Sequence, residues 1–245
     1  MRLRLSIAYD GAPFAGWQRQ SAADTIQARI EAAFEKITQT PATLHGAGRT
    51  DAGVHAHGQV AHVDIDRPAL DPKHWCRALN ANLPPTIRIN SVRRAPSNFH
   101  ARFSALGKIY RYDIFTRDIL PPHLHQRVWH VTAPIDLDTF RRALSLYEGR
   151  HDFRALAANR STPVLNTVRE IHSVRLNHTP NSIRITYAGT GFLYKMIRIL
   201  TASALRVARG RESIDWLEDF LLHPTRPKSS KVAPPDGLTL VRVRY

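Results

Sequence analysis

The stretch Gly46-Ala-Gly-Arg-Thr-Asp-Ala-Gly-Val-His-Ala-His57 lies between two apolar runs of the 245-residue sequence. Its glycines at 46, 48 and 53 allow positive φ angles and the close approach of another backbone, so it is predicted to form a site loop. Arg49 and Asp51 are two residues apart, which in an extended backbone places a cation and a carboxylate beside one cavity. An aspartate in a glycine-rich turn can also do no more than stabilise the turn, and for Asp51 this alternative stays open.

The chain carries a large excess of positive charge. Lys and Arg number 35 against 20 Asp and Glu, which leaves a net charge of +15. The basic residues are spread along the sequence and form no tail, so a folded basic surface is predicted. Nucleic acid is the expected partner, because neutralising its phosphates releases counterions. The alternative is a basic protein without such a partner.

The composition indicates a globular, cytoplasmic protein. Hydrophobic residues make up 43% of the chain, enough for a sizeable core at this length. Cys76 is the only cysteine, so neither an internal disulfide nor a cysteine-based zinc site is expected, and a reducing compartment fits. No apolar run approaches the length of a membrane span and the N-terminus begins with a strand pattern, so no membrane association or signal peptide is expected.

Apolar periodicity predicts a compact α+β unit in residues 1–104. Alternation with period two indicates strands with one buried face, and apolar stripes with helical spacing indicate helices packed on them. Phe14 and Trp17, in the loop after the first strand, are expected either to touch unpaired bases or to anchor the core. The predicted elements are a strand from Leu3 to Tyr9, a helix with a capping-box-like start at Asp24, strands on both sides of the Gly46–His57 loop, a helix that begins at Asp71-Pro72, and a strand from Ile87 to Arg93.

The sequence pattern of residues 105–245 is loosely similar to that of the first half. The same two periodicities predict strands and helices in similar proportion, joined by turns rich in Pro, Gly and Asn. The predicted elements are a strand from Lys108 to Phe115, a helix from Asp136 to Tyr147, a hairpin of Val168–Leu176 and Ser182–Ala188, a helix from Gly191 through Val207, a short helix capped by Ser213, and a strand from Leu238 to Tyr245.

Two residues of the second half are candidates for the site. Tyr110 has a ring large enough to stack under a base, although a buried strand tyrosine is the alternative. Arg198 lies in the middle of an otherwise apolar predicted helix, where a guanidinium is costly unless it has an anionic partner. Asp51 is the natural candidate for that partner, because such a pair would keep the carboxylate ionised and fix its direction. A guanidinium that simply reaches solvent is the alternative.

Histidines cluster around the central loop, at His45, His55, His57 and His62. Two of them share a predicted strand face, but the nearby carboxylates show no recognisable metal-ligand spacing, so no metal site is expected. A solvated or base-contacting role is favoured for the cluster. Neither a dinucleotide-binding glycine motif nor a phosphate-binding P-loop occurs, so no nucleotide cofactor is expected either.

Several stretches, in order across almost the whole chain, resemble the tRNA pseudouridine synthase A family. The match from Gly46 to Ala56 is highly specific, whereas the others would be weak singly. The remaining matches are Tyr9-Asp-Gly with Gly16-Trp-Gln, Phe99-His-Ala-Arg-Phe-Ser-Ala, Tyr110-Arg-Tyr, Met196-Ile-Arg198 and Ala233-Pro-Pro-Asp-Gly-Leu. Lys195 departs from the family, whose helix usually has His at that position.

The resemblance implies a pseudouridine synthase fold. Two similar α+β halves, residues 1–104 and 105–245, would carry largely antiparallel sheets flanked by helices around a central basic cleft. The implied enzyme detaches uracil from C1′ of a uridine at positions 38, 39 and 40 in the anticodon arm of tRNA, rotates it and rejoins it through C5. The family is a homodimer that needs neither a metal nor a cofactor.

The resemblance also implies a role for each candidate residue. Asp51 matches the catalytic aspartate and Arg198 the arginine that pairs with it. Tyr110 matches the base-stacking tyrosine, and Arg49 an arginine implicated in drawing the base out. Two other functions remain as alternatives: a non-catalytic RNA-binding protein in which Asp51 serves only its turn, and a metal-dependent nuclease built on the histidine cluster.

Overall fold

The computed structural model forms two compact units. The contacts within the chain group Met1–Leu106 with Thr239–Tyr245, and they group Gly107–Leu238 separately. The end of the chain therefore belongs to the first unit, while the expected organisation into halves 1–104 and 105–245 stays a prediction. The residues described are 1–66, 70–158, 165–225, 227 and 231–245.

The described residues form both strands and helices, and the α+β class with largely antiparallel sheets is confirmed. Short 3-10 helices occupy Pro122–Leu124 and Arg154–Leu156. In this part of the chain, each helix is too short or too polar to cross a membrane. The elements are β1 Arg2–Tyr9, α1 Ile26–Thr38, β2 His45–Gly46, β3 His55–Asp64, α2 Pro72–Ala81, β4 Ile87–Arg94, β5 Gly107–Phe115, β6 Trp129–His130, α3 Leu137–Ser145, β7 Gly149–Asp152, β8 Val168–Thr179, β9 Ser182–Gly189, α4 Met196–Ala208, α5 Ile214–Leu222 and β10 Leu238–Arg244.

The first unit has a sheet with the strand order β4-β1-β3-β10, and β2 pairs with β3. Strand β1 is antiparallel to both β3 and β4, and β10 is parallel to β3. The predicted alternation in β1 is confirmed, because Leu3, Leu5 and Ile7 are fully buried while the residues between them are partly exposed. The buried face shares its core with α1 and α2, whose Phe34 and Trp75 rings lie 5.4 Å apart.

The N-terminal cap of α2 is the residue that the sequence predicts, whereas the cap of α1 is a different residue. Asp71 accepts hydrogen bonds of 2.9 Å from the backbone N–H groups of Lys73 and His74, as predicted. At α1 the cap is Thr25, whose hydroxyl accepts from the backbone of the first turn and whose backbone is extended. The carboxylate of Asp24 instead forms an ion pair with Arg29 at 2.7 Å. A capping residue needs the extended backbone, so the cap lies one residue later than expected.

The second unit has an antiparallel sheet in the order β5-β9-β8-β7, and β6 pairs in parallel with β5. Within this unit, two buried tyrosines bond to α4 through their hydroxyls. Tyr147 donates to the carbonyl oxygen of Leu200 at 3.0 Å, and the Tyr187 hydroxyl lies 2.9 Å from that of Thr201. A buried hydroxyl without a partner is costly, so these bonds fix how α4 packs within its unit.

Helix α4 begins later than the sequence pattern predicts. The expected start at Gly191 is wrong, since the helix spans Met196–Ala208. Lys195 has φ +56°, in the left-handed region, and no side chain caps the helix. A residue with this backbone conformation cannot lie within an α-helix, so the preceding residues form a turn. Arg198 consequently lies in the first turn of the helix and not in its middle.

Candidate active site

Asp51 lies in the loop between β2 and β3 of the first unit, and the start of this loop is hydrogen-bonded to β3. The backbone N–H of Ala47 donates to the carbonyl oxygen of Val60 at 2.7 Å. The side-chain amide of Gln59, which is fully buried, donates to the carbonyl oxygen of Gly48 at 3.0 Å. These bonds replace the regular ladder where the strand pairing ends, so the loop is held close to the sheet.

The segment after β1 supports the loop from its other side. The backbone N–H of Trp17 donates to Thr50 at 3.1 Å, and that of Gly53 donates to Phe14 at 3.4 Å. Phe14 and Trp17 are both buried. Of the two roles expected for these aromatic residues, the structure therefore supports core anchoring. The backbone of this segment therefore holds the aspartate loop, while its two aromatic side chains are buried.

Close backbone approach accounts for the glycines around Asp51. Gly16 has φ +97°, and a Cβ at this position would lie 2.8 Å from the Thr50 carbonyl oxygen. Gly53 has φ +78° in the turn after Asp51. Of the three loop glycines, Gly53 is thus the one with a positive φ angle. The loop can approach the Gly16 backbone only because this position has no side chain.

Thr50 connects the loop to the core. Its side chain is buried and lies 2.8 Å from the hydroxyl of Tyr9. Burial raises the pKa of the Tyr9 hydroxyl above its ordinary value, so the phenol stays protonated. Arg49 is exposed and Asp51 is partly exposed, one on each side of Thr50 in the sequence. The inward-pointing threonine fixes the backbone from which the two candidate site residues project.

The turn after Asp51 is closed by the main chain. The backbone N–H of Val54 donates to the carbonyl oxygen of Asp51 at 3.2 Å. Close by, the ring of the buried His55 accepts from the backbone of Gly11 at 3.2 Å and lies 3.1 Å from the Asp10 carboxylate. His55 therefore holds the end of β1 beside the loop. His57, in contrast, is exposed.

The histidines predicted as one cluster divide into two groups. His55 supports the Asp51 loop, whereas His45 and His62 stack on each other with their ring centroids 4.9 Å apart. Where the structure describes the chain, no group of three or more His, Cys, Asp or Glu side chains could hold a metal ion.

Tyr110 lies on β5 in the second unit, with 8% of its surface exposed. Its ring meets that of Phe192 edge to face, with the centroids 5.3 Å apart. Phe192 precedes α4 in the segment that the sequence pattern assigned to the helix. Its contact with Tyr110 was not predicted, because it joins residues that are distant in the sequence. The role of Tyr110 in stacking on a base stays a prediction.

Arg198 is partly buried at the start of α4 and is held by the segment Ala233–Gly237. Its Nε donates to the carbonyl oxygen of Ala233 at 2.7 Å, and the backbone of Ala233 donates back to the carbonyl oxygen of Arg198 at 3.2 Å. The first turn of a helix carries the positive end of the helix dipole. A guanidinium placed there has a stronger need for an anion than one in mid-helix.

The same segment contacts the strand that carries Tyr110. The hydroxyl of Tyr112 donates to the carbonyl oxygen of Pro234 at 2.7 Å, and the backbone of Asp113 donates to Gly237 at 2.9 Å. The Ala233–Gly237 segment therefore links β5 to the start of α4. The sequence identified it only as part of a family resemblance, and the structure assigns it a positioning role within the second unit.

The comparisons with known proteins identify one family of similar sequences. A family model described as tRNA pseudouridine synthase matches residues 5–104 and 143–245. These ranges contain Arg49, Asp51 and Arg198, whereas Tyr110 lies between them. The "tRNA pseudouridine synthase A" of Akkermansia muciniphila is 43% identical over 100% of this chain and 95% of its own length. "tRNA pseudouridine synthase A 1" of Desulfotalea psychrophila is 40% identical over 98% of both chains.

The family model and these relatives define the class of the protein as an RNA-modifying enzyme. The chain belongs to the tRNA pseudouridine synthase family.

Proposed function

We propose that this protein isomerises uridine to pseudouridine at positions 38, 39 and 40 in the anticodon arm of tRNA. Asp51 is the catalytic carboxylate and acts on a uridine flipped out of the RNA. One observation supports this role most directly: the partly exposed carboxylate follows a buried threonine that hydrogen-bonds to the core tyrosine Tyr9. Groups that take part in catalysis require such a rigid support.

The reaction needs few components from the protein. The bond between C1′ and N1 breaks, a bond between C1′ and C5 forms, and the proton lost from C5 is balanced by one gained at N1. The product is an isomer of the substrate, so no co-reactant enters the balance. An ionised carboxylate can attack C1′, attack C6 or remove a proton. All three routes require the negative charge at Asp51.

Arg198 pairs with Asp51 in this proposal. The bond from its Nε to Ala233 fixes the guanidinium plane, and the position in the first turn of α4 favours an anionic partner. Arg198→Ala is expected to lower single-turnover conversion about 100-fold with a much smaller effect on tRNA affinity. Arg175→Ala, on exposed β8, is the matched control. A loss of affinity with normal single-turnover chemistry would contradict the pairing.

Tyr110 and Arg49 complete the proposed site. Tyr110 stacks under the extruded base, and Arg49, which is exposed beside Asp51, helps to draw the base out. Flipping a base costs a few kcal/mol, and stacking and charge contacts must offset this cost. The net charge of +15 supplies a long-range attraction for the phosphates. The proposal also includes a basic cleft between the two halves, a homodimer and a cytoplasmic location. Sedimentation of the purified protein tests the dimer.

The decisive experiment treats an unmodified tRNA transcript with the purified protein and maps pseudouridine chemically. We expect conversion in the anticodon arm that resists EDTA, and none in a transcript with cytidine at positions 38 to 40. Well-folded protein that binds the tRNA and forms no pseudouridine would support the RNA-binding alternative. Cleavage of the RNA that EDTA abolishes would support the nuclease.

A further inference from the structure

The turn His100–Ser104 presents an aromatic side chain to solvent. Phe103 is 76% exposed, although Phe is a residue that folding normally buries. Its ring packs at a tilt against that of His100, with the centroids 4.3 Å apart. The guanidinium of Arg102, also exposed, lies 5.6 Å from the Phe103 centroid. An exposed ring next to a cation is the combination that binds the bases and phosphates of unpaired RNA.

The turn is rigid because its own polar groups are satisfied within it. Nδ1 of His100 accepts from the backbone N–H groups of Arg102 at 3.1 Å and Phe103 at 3.3 Å. The backbone N–H of His100 donates to the hydroxyl of Ser104 at 3.0 Å, and the Ser104 N–H donates back to the His100 carbonyl at 2.9 Å. Phe103 is thus presented on a preorganised backbone, which lowers the entropy cost of binding.

Two long-range bonds anchor the turn to the sheet of the first unit. The backbone N–H of Ala101, which is fully buried, donates to Nδ1 of His62 at 3.1 Å. The hydroxyl of Tyr245 donates to the Ala101 carbonyl at 2.6 Å. The backbone N–H and carbonyl groups of the buried Ala101 therefore both hold the turn in position.

The surroundings of the turn are basic. The guanidinium of Arg4 lies 4.2 Å from the ring centroid of Tyr245 and 5.3 Å from that of Phe99. Arg2 donates to the Phe99 carbonyl at 2.7 Å and forms an ion pair with Asp64. Arg93, on β4 opposite Arg4, is exposed. A polyanion complements this surface.

We propose that this turn is a second RNA contact of the enzyme. Phe103 stacks on an unpaired base other than the uridine that reacts, and Arg102 contacts a phosphate next to that base. The inference rests on the proposed function, because it takes tRNA as the ligand. It adds a binding contact that the chemistry at Asp51 does not require.

The experiment measures the affinity of an unmodified tRNA transcript for wild-type protein and for Phe103→Ala, Phe103→Tyr and Phe103→Leu. Stacking on one base is worth about 1–3 kcal/mol, so the alanine variant should bind about 5- to 150-fold more weakly. Tyr should restore affinity because it keeps the aromatic face, and Leu should not. Ile119→Ala, which removes another exposed apolar side chain, is the matched control. Thermal unfolding should be unchanged in the four variants.

Arg102→Gln provides an independent readout. It should weaken binding and reduce the slope of log affinity against log salt by about 1, as expected for one lost phosphate contact. Affinities of all Phe103 variants equal to the wild type would overturn the proposal while the proposed function stands. A change in sedimentation with unchanged tRNA affinity would show a protein interface and would overturn it as well.

The two proposals can fail separately. A wild type that binds tRNA and forms no pseudouridine contradicts the proposed function, and the Phe103 series still decides the RNA contact. A wild type that binds no RNA contradicts both.

Discussion

The loop Gly46–His57 and the turn His100–Ser104 lie in the same unit, yet different contacts hold them in place. Main-chain hydrogen bonds and a side-chain-free Gly16 fix the backbone around Asp51. The turn depends instead on two side chains that can ionise, His62 and Tyr245. The first region is therefore held mainly by groups of the main chain, with His55 beside the turn that follows Asp51. The second presents its aromatic residue on a support that is sensitive to pH.

The largest effect is expected from the residue that the loop presents. Asp51→Asn removes the charge and keeps the size, so single-turnover conversion should fall at least about 1,000-fold, or ~4 kcal/mol in the activation barrier. Affinity for tRNA should stay within about threefold of the wild type, because the backbone support is unchanged. Asp138→Asn, at a carboxylate that is 90% exposed, is the control. Residual conversion near the wild-type rate would disprove the catalytic role.

The backbone support of the loop is the next target. In Gly16→Ala the new Cβ would meet the Thr50 carbonyl oxygen at 2.8 Å, and the positive φ angle adds strain. We expect a loss of about 2–4 kcal/mol in the free energy of unfolding, measured by urea denaturation. Gly191→Ala is the matched control, since its nearest neighbour is the flexible Arg169 side chain at 3.9 Å. Equal stability of the two variants would show that the loop can move away from Gly16.

The pH dependence of the turn follows from His62. Burial, together with the positive charge of its neighbours, lowers the pKa of His62 to about 4. In the unfolded chain this histidine takes up a proton near pH 6.5, whereas in the folded protein it does not. The contribution of His62 to the free energy of unfolding is therefore complete above about pH 6.5 and is lost progressively towards pH 4. The groups that act on His62 are His45, Arg2, His100 and Asp64.

His62→Asn tests this dependence, because the amide oxygen can accept the Ala101 N–H in place of Nδ1. Urea denaturation at pH 7.5, 6, 5 and 4 should show a shallower decline for the variant than for the wild type. His178→Asn, at an exposed position on the β8–β9 hairpin, should leave the decline unchanged. Parallel curves for wild type and His62→Asn would mean that another group causes the acid loss.

The smallest effect is expected at the second anchor of the turn. Tyr245→Phe keeps the ring contacts with Phe99 and Arg4 and removes the hydrogen bond to the Ala101 carbonyl. One such bond is worth about 0.5–1.5 kcal/mol, so the unfolding free energy should fall by that amount. Faster hydrogen exchange confined to the turn would show that the Tyr245 hydroxyl holds the turn. If stability and hydrogen exchange stay as in the wild type, His62 alone is sufficient to hold it.

Local patterns in the sequence determined the classes of the elements and several of their boundaries. The alternation in β1 and the Asp71 cap of α2 depend on residues close to one another in the chain, and the structure confirms both. The specific Gly46–Ala56 match indicated the family for the same reason, because its residues are contiguous in the chain. The comparisons confirm that family.

Only the tertiary structure decided which distant residues support the candidate site residues. The predicted start of α4 was wrong by five residues, because Lys195 adopts a left-handed conformation that apolar spacing does not reveal. The contacts of Tyr9 with Thr50, of Arg198 with Ala233 and of Tyr245 with Ala101 join residues far apart in the chain. Periodicity encodes which face of an element is buried, whereas a hydrogen bond between distant residues depends on the packing that brings them together.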